Sequence, residues 1–252
     1  MVYGLWQSAA GLRTQDYRQS VIANNLANVD TPGFKPDSVS FAERLSEARR
    51  LGGAGPRNGL LDVLTGGVVE TEPYTSFREG PINPTGGTLD VAIQGEGFLA
   101  VKTPDGVRYT RDGRLTKNAA GVLVHAASGG AVLDDQGREI TLDNASREKI
   151  KIDDRGLIRQ GQSDVGRISV VDFDDKRSLK KSGQNLFESD APARPSTVAS
   201  VRQGAIEGSA VDPMTTMVDM IAASRAYELN ANLISLQDQS LGRAVNDIGR
   251  VA

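Results

Sequence analysis

The sequence has 252 residues, with 29 Lys and Arg against 32 Asp and Glu, which gives a net charge of −3 at neutral pH. This length suits one large domain or two smaller ones, and the charge balance without a basic run argues against nucleic acid as the main partner. Cysteine is absent, which excludes disulfides, thiolate metal sites, iron–sulfur clusters and a thiol nucleophile. No apolar run approaches the roughly 18 residues of a membrane span.

The first segment, 1–34, is predicted to be a helix followed by a turn. Apolar or small residues recur every three or four positions, which is typical of one side of a helix. The pattern ends in an Asn-rich stretch, and Asn is a poor helix former because its side chain competes for backbone hydrogen bonds. Thr31-Pro32-Gly33-Phe34 then has the signature of a type II turn, in which Gly33 takes a positive φ. The opening residues 1–7 lack the basic and apolar regions of a Sec signal peptide, so we expect either a cytoplasmic protein or export by another route.

Residues 35–75 form an extended or irregular linker in this interpretation. Glycine pairs and a Gly-Pro step are concentrated in 49–70, where they are typical of a mobile loop. A plain surface insertion explains the same composition equally well, so the role of this segment stays open.

Residues 76–203 are predicted to form an all-β, barrel-like or sandwich-like domain. Short alternating runs such as 89–93, 98–101 and 107–110 are separated by turn residues every 8–12 positions or so. The interpretation includes β-hairpins at Gly95-Glu96-Gly97 and at Asp112-Gly113. No helical stretch of 10–15 residues lies between the runs, which disfavours parallel βαβ units.

The last segment, 204–252, is predicted to contain a long helix. Asp212 suits the N-cap and Pro213 the first helical position, and a helix over 213–249 would be roughly 55 Å long. It carries two apolar rows, and two rows suit a helix that contacts several neighbours. The alternative is that both rows pack on the protein's own β domain. The two rows comprise Ala222, Ala226, Leu229, Leu233, Leu236 and Ser240 on one side, and Met220, Ala223, Tyr227, Ile234, Leu241 and Ile248 on the other.

The sequence offers little for catalysis. His125, the single histidine, lies in an apolar run and is predicted to be structural. No nucleophile elbow, phosphate-binding loop or dinucleotide fingerprint is present. Three acidic pairs, at 134–135, 153–154 and 174–175, could support acid–base chemistry or Ca²⁺ binding, but each lies in an apparent turn where Asp is ordinary. We therefore expect no enzyme activity, no cofactor and no metal.

Four segments resemble the signatures of bacterial flagellar axial proteins, the rod and hook family. Asn24–Lys35 is similar to the N-terminal signature, and Leu89–Phe98 to the start of the rod and hook β domain. Tyr109–Gly113 is a further match, and Glu207–Asp212 with Met220–Glu228 resembles the C-terminal signature. Length and a single β domain favour a basal-body rod protein, and the tail 237–244 favours a proximal rod member. A distal rod or hook-type protein is the alternative. Ala210 stands where the family usually has Asn.

The resemblance implies an α+β fold whose terminal helices pair as a coiled coil around a central β domain. It implies a structural subunit of the periplasmic rod, exported through the flagellar type III apparatus without a Sec signal and assembled with itself and neighbouring rod proteins into a hollow, torque-transmitting tube. From another class, a secreted β-rich binding module with helical oligomerisation arms stays open, as does a hydrolase using an acidic pair. The predicted assembly interface comprises Leu5, Leu12, Asn24, Asn25, Leu26, Asn28, Pro32, Gly33, Phe34, Ile221, Arg225, Tyr227, Leu229, Leu233 and Leu236.

Overall fold

The computed structural model describes residues 2–43, 67–144, 146 and 148–248 of the chain. These residues divide into two compact units. The helical unit comprises Met1–Ala27, Asp37–Tyr74 and Asp212–Ala252, and the β unit comprises Asn28–Pro36 and Thr75–Val211. A helix at each end of a β-rich middle is the α+β arrangement that the sequence predicted.

Within the described residues, the helical unit is built on two helices, α1 (Val2–Ala27) and α2 (Pro213–Ile248), which pack against each other. They run antiparallel, because Gly4 faces Gln237 while Gly11 faces Asn230. Asp212 caps α2 as expected, with its Oδ1 accepting a hydrogen bond from the Met214 N–H at 3.0 Å. No helix within the described residues is long and apolar enough to cross a membrane.

Four short strands accompany these helices. They lie in the segment expected to be an irregular linker, of which 44–66, including most of the Gly-rich stretch, falls outside the described residues. β1 pairs with β4, and β2 pairs antiparallel with β3. The strands are β1 (Asp37–Ser38), β2 (Phe41–Glu43), β3 (Val68–Glu70) and β4 (Tyr74–Thr75).

Sixteen further strands lie in the described part of the β unit. They are mostly two to five residues long, which fits a sequence rich in glycine and turn residues. They are β5 (Ile82–Pro84), β6 (Val91–Gln94), β7 (Phe98–Thr103), β8 (Gly106–Thr110), β9 (Leu115–Lys117), β10 (Leu123–His125), β11 (Ala131–Val132), β12 (Ile150–Ile152), β13 (Leu157–Gln160), β14 (Ser163–Arg167), β15 (Val170–Asp172), β16 (Lys180–Lys181), β17 (Leu186–Glu188), β18 (Arg194–Pro195), β19 (Ser200–Gln203) and β20 (Ala205–Glu207).

The largest sheet has nine strands and forks at β7. One path runs in the order β16-β17-β8-β7-β11-β10-β9, while β15 pairs with both β7 and β18. The fork arises because β7 pairs with β15 through Phe98 and Leu99 and with β11 through Val101 and Lys102. A three-stranded sheet, β12-β13-β14, and the pairs β6-β19 and β5-β20 complete the unit.

Two apolar clusters form the core of the β unit, one on each side of β7. Alternation along the strand sends Leu99 and Val101 into the larger cluster and Phe98 into the smaller one. The smaller cluster is aromatic, with the Phe98 and Phe187 ring centroids 5.8 Å apart in an edge-to-face arrangement.

Both predicted hairpins are wrong. Gly95–Gly97 is a turn, but the strands that it joins have different partners, since β6 pairs with β19 while β7 pairs with β8, β11 and β15. Asp112-Gly113 likewise separates β8 from β9, which pairs with β10. The expected start of the C-terminal segment at 204 also differs from the structure, because β20 is a strand of the β unit and α2 begins only at Pro213.

Candidate assembly surface and buried charged centre

Small and polar side chains take part in the contact between α1 and α2. A Cβ atom placed on Gly4 would lie 3.0 Å from Nε2 of Gln237, and one placed on Gly11 would lie 3.0 Å from Oδ1 of Asn230. Ser8 on α1 is buried and Ala223 on α2 is fully buried. The side-chain oxygens of Gln15 and Gln237 are buried without a hydrogen-bond partner. Glycine, serine and amide side chains therefore contribute to the seam between the helices.

The positions of this seam alternate at spacings of four and three residues. On α2 the least exposed positions include Met220, Ala223, Tyr227, Ile234 and Leu241, which is one of the two apolar rows in the sequence. On α1 the corresponding positions are Gly4, Ser8, Gly11, Gln15, Ile22 and Asn25.

The other apolar row of α2 is exposed. Leu229, Leu233 and Leu236 have 65%, 48% and 58% of their surface accessible to solvent. Within the helical unit, this row is therefore not covered by α1. Further exposed apolar side chains occupy the first turns of α2, namely Met214, Met217, Val218 and Ile221, and Trp6 is exposed on α1. We define the assembly row as Leu229, Leu233 and Leu236.

The residues of the predicted interface fall into two groups. Ile221, Arg225 and the assembly row are exposed, as is Asn24, while Leu5, Leu12, Leu26, Asn28, Pro32 and Tyr227 are partly buried. Asn25, Gly33 and Phe34 are buried within this chain. Asn25 binds the Asp37 backbone twice, donating to its carbonyl at 2.7 Å and accepting from its N–H at 3.0 Å. The buried residues are therefore used within this chain, and the exposed group is the accessible part of the predicted interface.

The predicted type II turn is present. The Phe34 N–H donates to the Thr31 carbonyl at 3.2 Å, and Gly33 has φ +67°. Gly33 is needed for a second reason, because a Cβ there would lie 2.5 Å from the Arg111 carbonyl carbon. The Gly33 N–H donates to the Glu207 carbonyl at 2.8 Å, which holds the turn against β20.

Beside this turn lies a buried charged centre made by Lys35, Arg111 and Glu207, each at most 3% exposed. The Glu207 carboxylate accepts from Lys35 Nζ at 2.5 Å and from Arg111 Nη1 at 3.1 Å. Lys35 Nζ also donates to the Arg78 carbonyl, and Arg111 Nη2 to the Gly95 carbonyl. One carboxylate thus serves two cations. Burial lowers the pKa of Lys35, although the Glu207 carboxylate opposes that shift.

A second buried polar cluster surrounds Asp112 and His125, both without solvent exposure. His125 Nε2 lies 3.3 Å from Asp112 Oδ2, and Arg114 binds the same carboxylate at 2.7 Å. Burial alone would raise the pKa of Asp112, but the nearby His125 imidazole and the hydrogen bonds from Arg114 outweigh it and hold that pKa below its usual value. His125 thus has a structural setting, as the sequence indicated. In the described part of the chain, no group of three or more His, Asp or Glu residues could hold a metal ion.

Sequence reasoning did not single out Lys35, Arg111 and Glu207 as a site. Each of the three residues lies within one of the segments that carry the family resemblance. The ionisable residue in each of those segments was the available sequence signal for this site. Gly113, in the same loop as Arg111, is a point of close backbone approach. A Cβ there would lie only 1.6 Å from the Val91 carbonyl oxygen, which explains the glycine that was mistaken for a hairpin signal.

Comparison with known proteins matches three family models along the chain. Residues 8–35 match the model described as "Flagella basal body rod protein". Residues 92–160 match "Flagellar hook protein FlgE/F/G D1 domain", and residues 202–247 match "Flagellar basal body rod FlgEFG protein C-terminal". The three matches cover the turn, much of the β unit and most of α2.

Whole-length relatives agree with these matches. A flagellar basal-body rod protein FlgF from Caulobacter vibrioides is 36% identical over 92% of this chain and 91% of its own length. Proteins named FlgG from Buchnera aphidicola and Bacillus subtilis are 33% and 30% identical, over 96% and 98% of this chain and 98% and 99% of their own lengths. The FlgF relative is the more similar, in the order that the C-terminal tail indicated.

Fold, sequence signatures and relatives together define a structural axial protein of the bacterial flagellum rather than an enzyme. Within that class, the chain belongs to the flagellar basal-body rod protein family. It is a structural subunit of the periplasmic rod.

Proposed function

We propose that this rod subunit polymerises through its terminal helices into the hollow, torque-transmitting tube of the rod, with the assembly row of α2 as a contact between subunits. The observation that carries the proposal is the exposure of that row. Three leucines at spacings of four and three residues would form a regular seam if a second helix covered them. Fully burying one leucine contributes roughly 1.5–3 kcal/mol, and a polymer repeats that gain at every subunit.

The seam between α1 and α2 supports a coiled-coil pairing of the terminal helices. Its small residues allow a close approach, and its four-three alternation matches knobs-into-holes packing. Because this seam uses one row of α2, the assembly row remains available for other copies. Head-to-tail contacts that do not close into a ring generate filaments.

The β unit is proposed as the sandwich-like domain of the subunit. Its two apolar clusters on opposite sides of β7 support that description. Export through the type III apparatus without a Sec signal fits the absence of cysteine, because an extended chain entering an oxidising periplasm cannot then form incorrect disulfides. Other copies of this chain and neighbouring rod proteins are the proposed partners.

The test is Leu233→Asp, with Ser235→Asp as its matched control. Both positions are exposed on α2 and both variants introduce the same charge, but only Leu233 belongs to the assembly row. We expect Leu233→Asp to abolish rod assembly and motility while the secreted monomer keeps the normal melting transition of its β unit.

Ser235→Asp should assemble and swim. A motile Leu233→Asp strain with unchanged melting would show that Leu233 is merely an exposed side chain. A lower melting temperature of the Leu233→Asp monomer would instead point to packing within the subunit, and either result would contradict the proposal.

A further inference from the structure

Residues 28–36 form a segment of the β unit that we call the strap. Polar contacts to the rest of the unit hold it in place. The Asn185 side chain donates to the Pro32 carbonyl at 2.6 Å, and Lys181 Nζ donates to the Lys35 carbonyl at 2.7 Å. The Ala210 N–H donates to the Phe34 carbonyl at 3.0 Å, in addition to the bond between the Gly33 N–H and the Glu207 carbonyl.

The strap contributes no residue to the two apolar clusters of the β unit as the described residues define them. Its one large apolar side chain, Phe34, is covered by a charge instead, since Lys181 Nζ lies 4.4 Å from the centre of the Phe34 ring. The sheets therefore keep their own core whether or not the strap is docked.

Arg111 and Glu207 remain paired when the strap leaves, because neither residue belongs to the strap. Lys35 adds a second cation to that pair when the strap is docked. Lys35 Nζ loses its water on docking and regains it on undocking, so the gain from its bonds to Glu207 and Arg78 is offset by desolvation. Segments held mainly by polar contacts can open locally at a lower free-energy cost than global unfolding.

From these contacts we propose that the strap is a latch, which docks on and undocks from the β unit as one piece while the sheets stay folded. The inference rests on the proposed function in one respect: a subunit exported as an extended chain must form the turn at Gly33 before the docked subunit can join the rod. With a latch of this kind, docking of the strap is a step separate from the folding of the sheets.

Amide hydrogen exchange on the full-length dilute monomer tests the latch directly. The Gly33 and Ala210 amides report docking, because their hydrogen bonds join the strap to β20 and to the residues that follow it. We expect them to exchange at least tenfold faster than the amides shared by β7 and β8. Equal rates in both places would mean that the strap opens only with global unfolding, and would overturn the proposal.

Lys181→Met removes the contacts to the strap but keeps an apolar stem over Phe34. Lys180→Met is the matched control, because Lys180 is the neighbouring exposed residue of β16 and lies opposite Glu188. We expect Lys181→Met to accelerate Gly33 and Ala210 exchange about tenfold without changing β7 and β8, and Lys180→Met to change neither. No acceleration, or equal acceleration everywhere, would contradict the latch. Neither result depends on rod assembly, so a failed latch and a failed assembly row are distinguishable.

Discussion

The helical unit and the β unit place their apolar residues in opposite ways. The β unit buries them, so that Val91, Leu99 and Leu123 have no exposed surface. The helical unit joins α1 to α2 through a seam that combines glycine, serine and amide side chains with one apolar row of α2, and it leaves leucine, methionine and valine exposed along α2. Apolar burial is the main source of folding free energy. The β unit therefore has an apolar core of its own, whereas the exposed apolar side chains of α2 contribute little to the stability of a free subunit.

Charged residues repeat this contrast. In the β unit, Lys35, Arg111 and Glu207 are buried and bound to one another, whereas Arg225 and Glu228 on α2 are exposed. The difference indicates that the β unit is specified within one chain, and it agrees with the proposal that other subunits cover the exposed side of α2 in the rod.

The largest expected effect is a difference between the two units of the free monomer in protection from amide hydrogen exchange. Amides of β7 and β8 should exchange only through openings close to global unfolding, typically 5–15 kcal/mol for a domain. Amides of α1 and α2 should exchange at least a thousandfold faster, because helices that lack strong tertiary packing are marginal in water. Exchange measured on a verified monomer checks this. Strong protection throughout 214–246 would remove the contrast between the units.

A smaller effect is expected when the charged centre loses its carboxylate. Glu207→Gln keeps the shape of the side chain but leaves the buried cations Lys35 and Arg111 without their carboxylate partner, which should lower the free energy of unfolding of the β unit by about 3 kcal/mol. Chemical denaturation measures this loss.

Glu188→Gln is the control for that measurement. Glu188 pairs with Arg108 at 3.1 Å near the surface, where an ion pair contributes at most about 1 kcal/mol. Similar losses of unfolding free energy in the two variants would show that the buried charged centre stabilises the β unit no more than a surface ion pair does.

Acid should destabilise the β unit through Asp112. Its pKa is lowered in the folded state, so its contribution to stability is complete above the unfolded pKa of about 3.9 and is lost as the pH falls through the lower folded value. Asp112→Asn should reduce stability at pH 7 by about 1–3 kcal/mol and flatten the decline below pH 4. Unfolding free energies at several pH values test this, and an unchanged acid slope would assign the decline to other carboxyl groups.

Local signals in the sequence predicted much of the fold. Asp212-Pro213 marked the start of α2, and Pro32-Gly33 marked a turn that the structure contains. These succeeded because capping and turn geometry depend on a few adjacent residues. The hairpins at 95–97 and 112–113 failed because strand partners depend on distant segments, and β6 pairs with β19 rather than with its neighbour.

The charged centre was out of reach of sequence reasoning for the same physical reason. Lys35 and Glu207 are separated by 172 positions, and nothing local to either residue indicates that they meet. Periodicity did separate the two rows of α2, but it could not say which row faces α1. That choice follows from the small residues of α1, which admit the row containing Ala223 and Tyr227.

The central claim is that the assembly row is exposed in the monomer and covered in the rod. The absence of cysteine allows a direct measurement, because Leu233→Cys supplies the only thiol in the chain. The rate of maleimide labelling should be that of an exposed thiol in the monomer and at least tenfold lower in purified rods that have incorporated the variant. Equal labelling rates in monomer and rod would contradict the account.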